Sequence, residues 1–361
     1  MITRRYIIVL SILLILAVSF GYLSLLPYSV PRANQWAEKA VQIDKLHMLG
    51  FDGSGVVIGI IDTGVDTHHQ EFDDDSFLSW TDLINQKNKP YDDEDHGTHL
   101  TGLLIAKESY EGLISGVNLK GIAPKARILH VKAIPANQYF YDGGNSSIIA
   151  EGIQFCVDQH VDILVVSMGV SPEKINFAEK NKVLQALDRA IACGIFVIVP
   201  AGNDGQNDDG DVCFPATHPH VISVGSIANN YLISPFSSKG HQYPGTTDPN
   251  KKPELVAPGE NILSTRIHGS YGELSGTAQA AVYTAGVLAL LLNAYPEYKP
   301  SCQEDINTTA IHVVKQILAQ SAKKIGNLEG AKEIFTHDDW YGYGLIQAYD
   351  AYIQLAQYRS S

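Results

Sequence analysis

The sequence predicts an α/β domain built on a central parallel sheet with helices on both faces. Three observations carry that prediction. Short apolar runs rich in β-branched residues recur along the chain, continuous from Val56 to Ile61 and within the strand Asp162 to Ser167, and runs of this kind are strands buried on both faces. They alternate with longer segments of helical spacing, the rhythm of strand–crossover–strand units. Polar residues gather where the strands end: Asp62, Ser167 and Asn203 each stand at or just past one, the edge where open α/β sheets bind ligands.

In chain order, residues 1–5 carry Arg4 and Arg5 and precede an uncharged run from Tyr6 to Leu26. A run of about 20 residues matches a bilayer-spanning helix, and the arginines hold its start on the cytoplasmic side, so the remainder is exported. Residues 6–26 therefore read as a transmembrane anchor. The alternative is a signal peptide cleaved to release a secreted domain, although the apolar part of a signal is usually only about 7–15 residues. Residues 27–35, with Pro27 and Pro31, read as a linker, and 36–357 as one domain.

Within that domain, Trp36 to Leu49 is a short amphipathic segment, read as a first surface helix, and Phe51 to Gly55 is turn chemistry. The strand Val56 to Ile61 ends in Asp62-Thr63-Gly64. A second polar cluster, Asp92 to His99, runs into apolar Leu100 to Ala106, a helix entered at the histidine. Arg127 to Ala133 is a strand, Ser146 to Gln159 a helix, Asp162 to Ser167 a strand and Asn181 to Cys193 a helix charged on one face. Ile195 to Val199 is a strand that runs out at Pro200-Ala201-Gly202-Asn203, and Val221 to Gly225 and Leu255 to Ala257 are further short strands. Tyr271 to Ala281 reads as a tight, glycine-punctuated turn feeding an apolar helix, Val282 to Leu292, and helices near Glu304 to Ala319 and after Gly344 close the chain.

Of 361 residues, 45% are hydrophobic and 18% charged, enough for one large core. The net charge of -13 argues against nucleic acid and against adhesion to anionic lipid. Four cysteines are too few for a disulfide framework in a chain this long. Cys156 and Cys193 lie in apolar segments and read as core; Cys213 and Cys302 pair only if the fold brings them together.

The polar clusters carry the chemistry. A carboxylate such as Asp62 held against an imidazole such as His96 fixes its tautomer and stabilises the imidazolium, making the histidine a general base. Two rival readings exist. Asp-Thr-Gly also occurs in aspartic proteases, but those need two carboxylates sharing a proton, and the chain offers one such motif. His96 and His99, three positions apart, could face one metal such as zinc. The Asn203 side-chain amide can donate to an oxyanion, with Ala201 and Gly202 beside it. Ser167-Met168-Gly169 can offer backbone groups to an extended peptide as an added strand.

Taken together these segments resemble the subtilisin-like serine peptidases, the subtilases. Asp62-Thr63-Gly64, His96-Gly97-Thr98-His99 and Gly276-Thr277-Ala278 follow that family's order. Gly121-Ile122-Ala123-Pro124, Ser167-Met168-Gly169, Ala201-Gly202-Asn203, Phe214-Pro215-Ala216, Phe236-Ser237-Ser238, Ala257-Pro258-Gly259 and Tyr341-Gly342-Tyr343-Gly344 are also similar to it. The resemblance implies a subtilisin-like single domain. It implies Asp62 as orienter, His96 as base, Asn203 as oxyanion donor and position 278 as nucleophile. It implies Ser167, Met168, Gly169, Ala201 and Gly202 as the substrate-binding wall.

The chain departs from the family at the position that matters most. The family has Gly-Thr-Ser where this chain has Gly276-Thr277-Ala278, and a methyl group cannot attack a carbonyl. Thr277 points roughly 100° away on a helix start and Ser275 lies across Gly276, so neither replaces it. Val282 stands where the family usually has proline. The expected function is a catalytically inactive homologue on the exported side of a membrane that binds peptide or protein partners. The alternative is an active serine endopeptidase in a form whose serine has been changed to alanine. No cofactor is required; calcium, common in the family as a structural ion, has candidate oxygen ligands in Asp73-Asp74-Asp75 and in Asp208-Asp209-Gly210-Asp211.

Overall fold

The computed structural model describes residues 32–107, 116–136, 146–170, 175–205, 211–240, 246–300 and 308–360. The apolar run at 6–26, most of the acidic loop at 208–211 and Cys302 lie outside the described residues. The chain opens with two short helices, α1 (Gln35–Ala40) and α2 (Ile43–Met48). The sequence reads this stretch as one surface helix, but Ala37, Val41, Ile43 and Leu46 are fully buried. The break falls at Gln42, which takes a left-handed backbone at φ 61° and returns its side chain to Asp350 near the far end of the chain.

The central sheet then forms from β1 (Val57–Asp62), β2 (Phe77–Asp82), β3 (Arg127–Lys132), β4 (Ile163–Val166), β5 (Phe196–Pro200), β6 (Ile222–Ile227) and β7 (Leu255–Pro258). All neighbours are parallel, in the order β2-β3-β1-β4-β5-β6-β7. From β1 the chain goes to β2 at the sheet edge, returns to β3 beside β1, and then crosses to β4 on the other side of β1. β1 is therefore a topological switch point, where ligands of such sheets bind. β4 and β5 are buried along their whole length, which is why they read as continuous apolar runs. β2 is half-exposed and mixes apolar with polar residues, an edge strand that lacks this signature.

Helices α3 (His96–Ile105), α4 (Ser146–Asp158), α5 (Phe177–Ala192), α6 (Thr277–Ala294), α7 (Thr308–Ser321) and α8 (Ala348–Ser360) cover the sheet. α5 begins earlier than its charge pattern suggests, because the Asn176 side chain accepts the Glu179 N–H at 3.0 Å and caps it. α6 is long and apolar enough to cross a membrane, yet 89% of it is buried inside the domain. It is the core helix, packed on β4, β5, β6 and β7 and against α3 and α8. Val282 lies fully buried within it, so the helix continues where the family's proline would fall.

The segment before α6 differs from its sequence reading. Instead of one turn, it holds an antiparallel hairpin, β8 (Ile262–Arg266) and β9 (Ser270–Leu274). The hairpin lies over α3: Ser264 Oγ and Thr265 Oγ1 donate to the carbonyls of His99 and Thr98, each at 2.8 Å. It thereby ties the two helix entrances that face the site into one frame.

Candidate active site

Asp62 is the last residue of β1 and is fully buried. His96 is the first residue of α3, and its Nδ1 lies 2.9 and 3.0 Å from the two Asp62 carboxylate oxygens. An ionised carboxylate only accepts, so Nδ1 carries the proton and Nε2 is left to act on a ligand. Two further donors hold the carboxylate: the Thr63 N–H at 2.6 Å and the Ser167 hydroxyl, which contacts Asp62 Oδ2 and also lies 2.8 Å from the Ile61 carbonyl. Burial alone would push Asp62 up; the charge and hydrogen bond of His96, with the bonds from Ser167 and Thr63, hold it down at about 2. Burial likewise opposes the charge on His96, but Asp62, with Asp92 behind it, keeps its pKa above the ordinary imidazole value.

The entrance to α3 is built from residues that the motif reading passes over. Asp92 accepts from Thr63 Oγ1 at 2.9 Å, Thr98 N–H at 2.9 Å and Thr98 Oγ1 at 2.7 Å. It satisfies one of the open N–H groups of the helix start. Gly97 N–H donates to Thr63 Oγ1 at 2.9 Å, and a Cβ at Gly97 would stand 2.0 Å from the Gly64 carbonyl oxygen. Only glycine lets the helix start approach the end of β1 this closely. Asp95 turns the other way, to Arg266 Nη2 at 2.6 Å and the Ile267 N–H at 2.8 Å, joining α3 to the hairpin. Beneath Asp62, the buried Lys132 ammonium bonds the Thr63 carbonyl and Asp93.

His99 does not join His96 in a metal set. Its Nε2 meets the Ile262 carbonyl at 3.0 Å, and burial drops its pKa to about 3. Asp62 faces an imidazole rather than a second carboxylate, which removes the aspartic-protease reading. Asp73 is engaged by Lys107 at 3.3 Å and Lys125 at 3.6 Å, so part of the first acidic loop is already neutralised by lysines.

The second entrance is that of α6. Gly276 precedes it with extended backbone and gives it no side-chain cap. Asn203, just past β5, supplies the missing acceptor: its Oδ1 receives the Thr277 N–H and the Thr277 Oγ1 hydroxyl, each at 3.0 Å. Because the N–H can only donate, Oδ1 must face it, and the Asn203 Nδ2 amide is left to donate elsewhere. Ala278 follows, 7% exposed, and then Gln279, whose side chain is buried with its Nε2 unpartnered among the described residues.

These residues meet in one cleft of about 390 Å³. His96, Ser167, Met168, Gly169, Gly202, Asn203 and Ala278 all line it. Ala201 is buried behind the wall, where its backbone pairs with Val224 and Cys213. Val170 is paired with Phe214, whereas among the described residues no backbone hydrogen bond engages Met168 or Gly169. That leaves a short edge at the cleft for an added strand.

The subtilase family profile matches residues 53–344. The chain belongs to the subtilase family. This subtilase is 32% identical over 282 residues to the major intracellular serine protease of Bacillus subtilis (strain 168), spanning 75% of this chain and 81% of that protein. It is 27% identical over 321 residues to subtilisin DY of Bacillus licheniformis, spanning 89% of this chain and 96% of that one. To subtilisin E of Bacillus subtilis (strain 168) it is 27% identical over 299 residues, spanning 82% of this chain and 69% of that protein. The fold class expected from the sequence and the family resemblance both stand.

Proposed function

We propose that this subtilase binds extended peptide segments in its cleft without cutting them, from the exported side of a membrane to which residues 6–26 anchor it. Ala278 carries the reading. The resemblance assigns the nucleophile to that position, and a methyl group there forms no acyl-enzyme. No neighbour supports a substitute: the Thr277 hydroxyl is committed to Asn203, and Ser275 Oγ accepts the Asn261 N–H at 2.8 Å. In this reading Asp62 orients His96, Asn203 donates to the bound peptide, and Ser167-Met168-Gly169 with Ala201 and Gly202 forms the wall along which the peptide lies. The membrane position rests on the apolar run and its two leading arginines. The test is equilibrium binding of peptides to the protein as written, with the recovered ligand checked by mass. Intact, retained peptide is the expected result; steady cleavage overturns the reading.

One observation favours a second reading, an active serine endopeptidase represented here by its alanine form. Asp62, His96, Ser167 and Asn203 keep a fully bonded framework, which selection has no reason to preserve once the nucleophile is gone. A serine codon at position 278 in the coding gene decides for it.

A further inference from the structure

Resting on the membrane-anchor reading, we infer that the domain lies against the lipid bilayer through the face shared by α2 and α8, with Met48, Leu49, Ile353 and Tyr358 at the level of the lipid headgroups. Met48 is 78% and Leu49 52% exposed, and Ile353 and Tyr358 are exposed as well. Large apolar side chains gathered on one exposed face mark a contact surface. The two helices that carry them pack on each other. Lys45 Nζ lies 5.0 Å from the centre of the Tyr349 ring, and Phe51, just past α2, meets Tyr352 at a centroid distance of 5.5 Å. α2 and α8 therefore run in the same sense along this flank. Leu49 comes one turn after Lys45, and Ile353 one turn after Tyr349, which carries both along the same faces as the contacting pair.

A tyrosine cluster continues this face. The Tyr352 ring stacks on Tyr295 at 5.3 Å and on Tyr349 at 6.2 Å, and Tyr298 meets Tyr295 at 6.5 Å. Tyr298, Tyr349 and Tyr352 are half-buried. A tyrosine has an apolar ring and a polar tip, and the type is enriched where lipid meets water. The charges around the face are balanced locally. Glu297 pairs with Arg359 Nε at 3.3 Å, Asp350 accepts from Gln42 at 3.1 Å, and Asp44 stands next to Lys45 in the chain. The face therefore offers a bilayer its apolar groups rather than a net charge.

The tether says what covers the face. Leu26, which closes the apolar run, and Arg32, the first described residue, are six positions apart. Even fully extended, a chain of that length spans only roughly 20 Å, so the domain cannot stand clear of a bilayer that holds the run. The first elements after the tether are α1 and α2, and α8 begins against them: the Ala348 N–H donates to the Val41 carbonyl at 2.9 Å, and Gln347 Nε2 to the Ala40 carbonyl at 2.8 Å. The apolar face is thus carried by the elements joined most directly to the anchor. A single anchoring helix leaves a domain free to swivel. A second contact fixes its orientation, and with it the direction in which the cleft opens.

The experiment uses the full-length protein in phosphatidylcholine vesicles, with Cys193 and Cys302 replaced by serine. Single cysteines are placed by Leu49→Cys and Ile353→Cys and, for comparison, by Phe177→Cys and Leu232→Cys, two exposed apolar positions outside α2 and α8. Each carries an environment-sensitive fluorophore, and its quenching by phosphatidylcholine with a spin-labelled headgroup is measured. Quenching at least about threefold stronger at the first two positions is expected, unchanged at high salt and reduced at Ile353→Cys by adding Met48→Glu. Equal quenching at all four positions, in protein that resists alkaline extraction from the vesicles, overturns the proposed face and leaves the anchor standing. Protein released by that extraction overturns the anchor reading, and this inference with it. A fluorophore at Leu49→Cys that is shielded from water yet not quenched by the lipid assigns the face to a second copy of the chain and overturns the bilayer contact.

Discussion

At the entrance of α3, Asp62 and Asp92 brace His96 and the helix start while Asp95 ties it to the hairpin, whereas at the entrance of α6 the helix begins with an extended glycine, a methyl group and an amide nitrogen that has no partner among the described residues. Both entrances face one cleft and both are tied to the same hairpin, so the difference is local. The half that orients a base is complete. On the proposed reading, the half that would deliver a nucleophile lacks one hydroxyl, and a site can lose its chemistry while the scaffold that positions ligands stays, because positioning and attack reside on different elements.

Restoring the hydroxyl breaks the comparison most sharply. Ala278→Ser should raise peptide hydrolysis by roughly a million-fold, the loss known for subtilisin, a member of the same family, when its serine is removed. A steady-state assay on an unstructured peptide checks it. In that background Asp62→Asn should lower kcat by about 10⁴, since the imidazole loses its orienting carboxylate and its tautomer.

The pH profile of the Ala278→Ser protein follows from the His96 pair. Burial opposes the charged ring, but Asp62 and Asp92 outweigh it, and the pKa is raised. His99, three residues further along α3, stays neutral because burial holds it at about 3. A general base must be unprotonated, so hydrolysis should rise with pH through a midpoint above the ordinary imidazole value of about 6.5. A midpoint below that value would mean Asp62 does not hold the ring as described.

The two entrances also differ in what their glycines tolerate. A Cβ at Gly97 meets backbone, the Gly64 oxygen at 2.0 Å; one at Gly276 meets the movable end of Gln279 at 2.8 Å. Gly97→Ala should cost at least about 3 kcal/mol, and Gly276→Ala less than about 1 kcal/mol. Thermal unfolding of both reads this directly, and equal losses would show that the α3 entrance is no more tightly built than the other.

What the sequence discloses follows the same division. β1, β4 and β5 are legible because burial on both faces makes them near-continuous apolar runs. β2 escapes because it is a half-exposed edge strand, and the β8–β9 hairpin because its side chains alternate between a polar surface and α3. Asp62, His96 and Asn203 are legible from their places at strand ends and a helix start. The grip of Ser167 on Asp62 joins residues that are 105 positions apart, a distance no local pattern spans. Asp92 reads as one acid in an acidic run, and its capping of α3 emerges only once Thr63 and Thr98 are seen around it. Gln279 carries no local signal at all, because an amide in an apolar helix start becomes conspicuous only when its neighbours are known to offer it nothing.

Peptide binding without cleavage is checked most directly by holding the protein with a peptide pool at equilibrium for many hours and weighing what comes back. Peptides retained in the cleft should be recovered at their full mass. New fragments that accumulate with time, and that disappear in His96→Gln, would contradict it by showing that the cleft still cuts without a serine at 278.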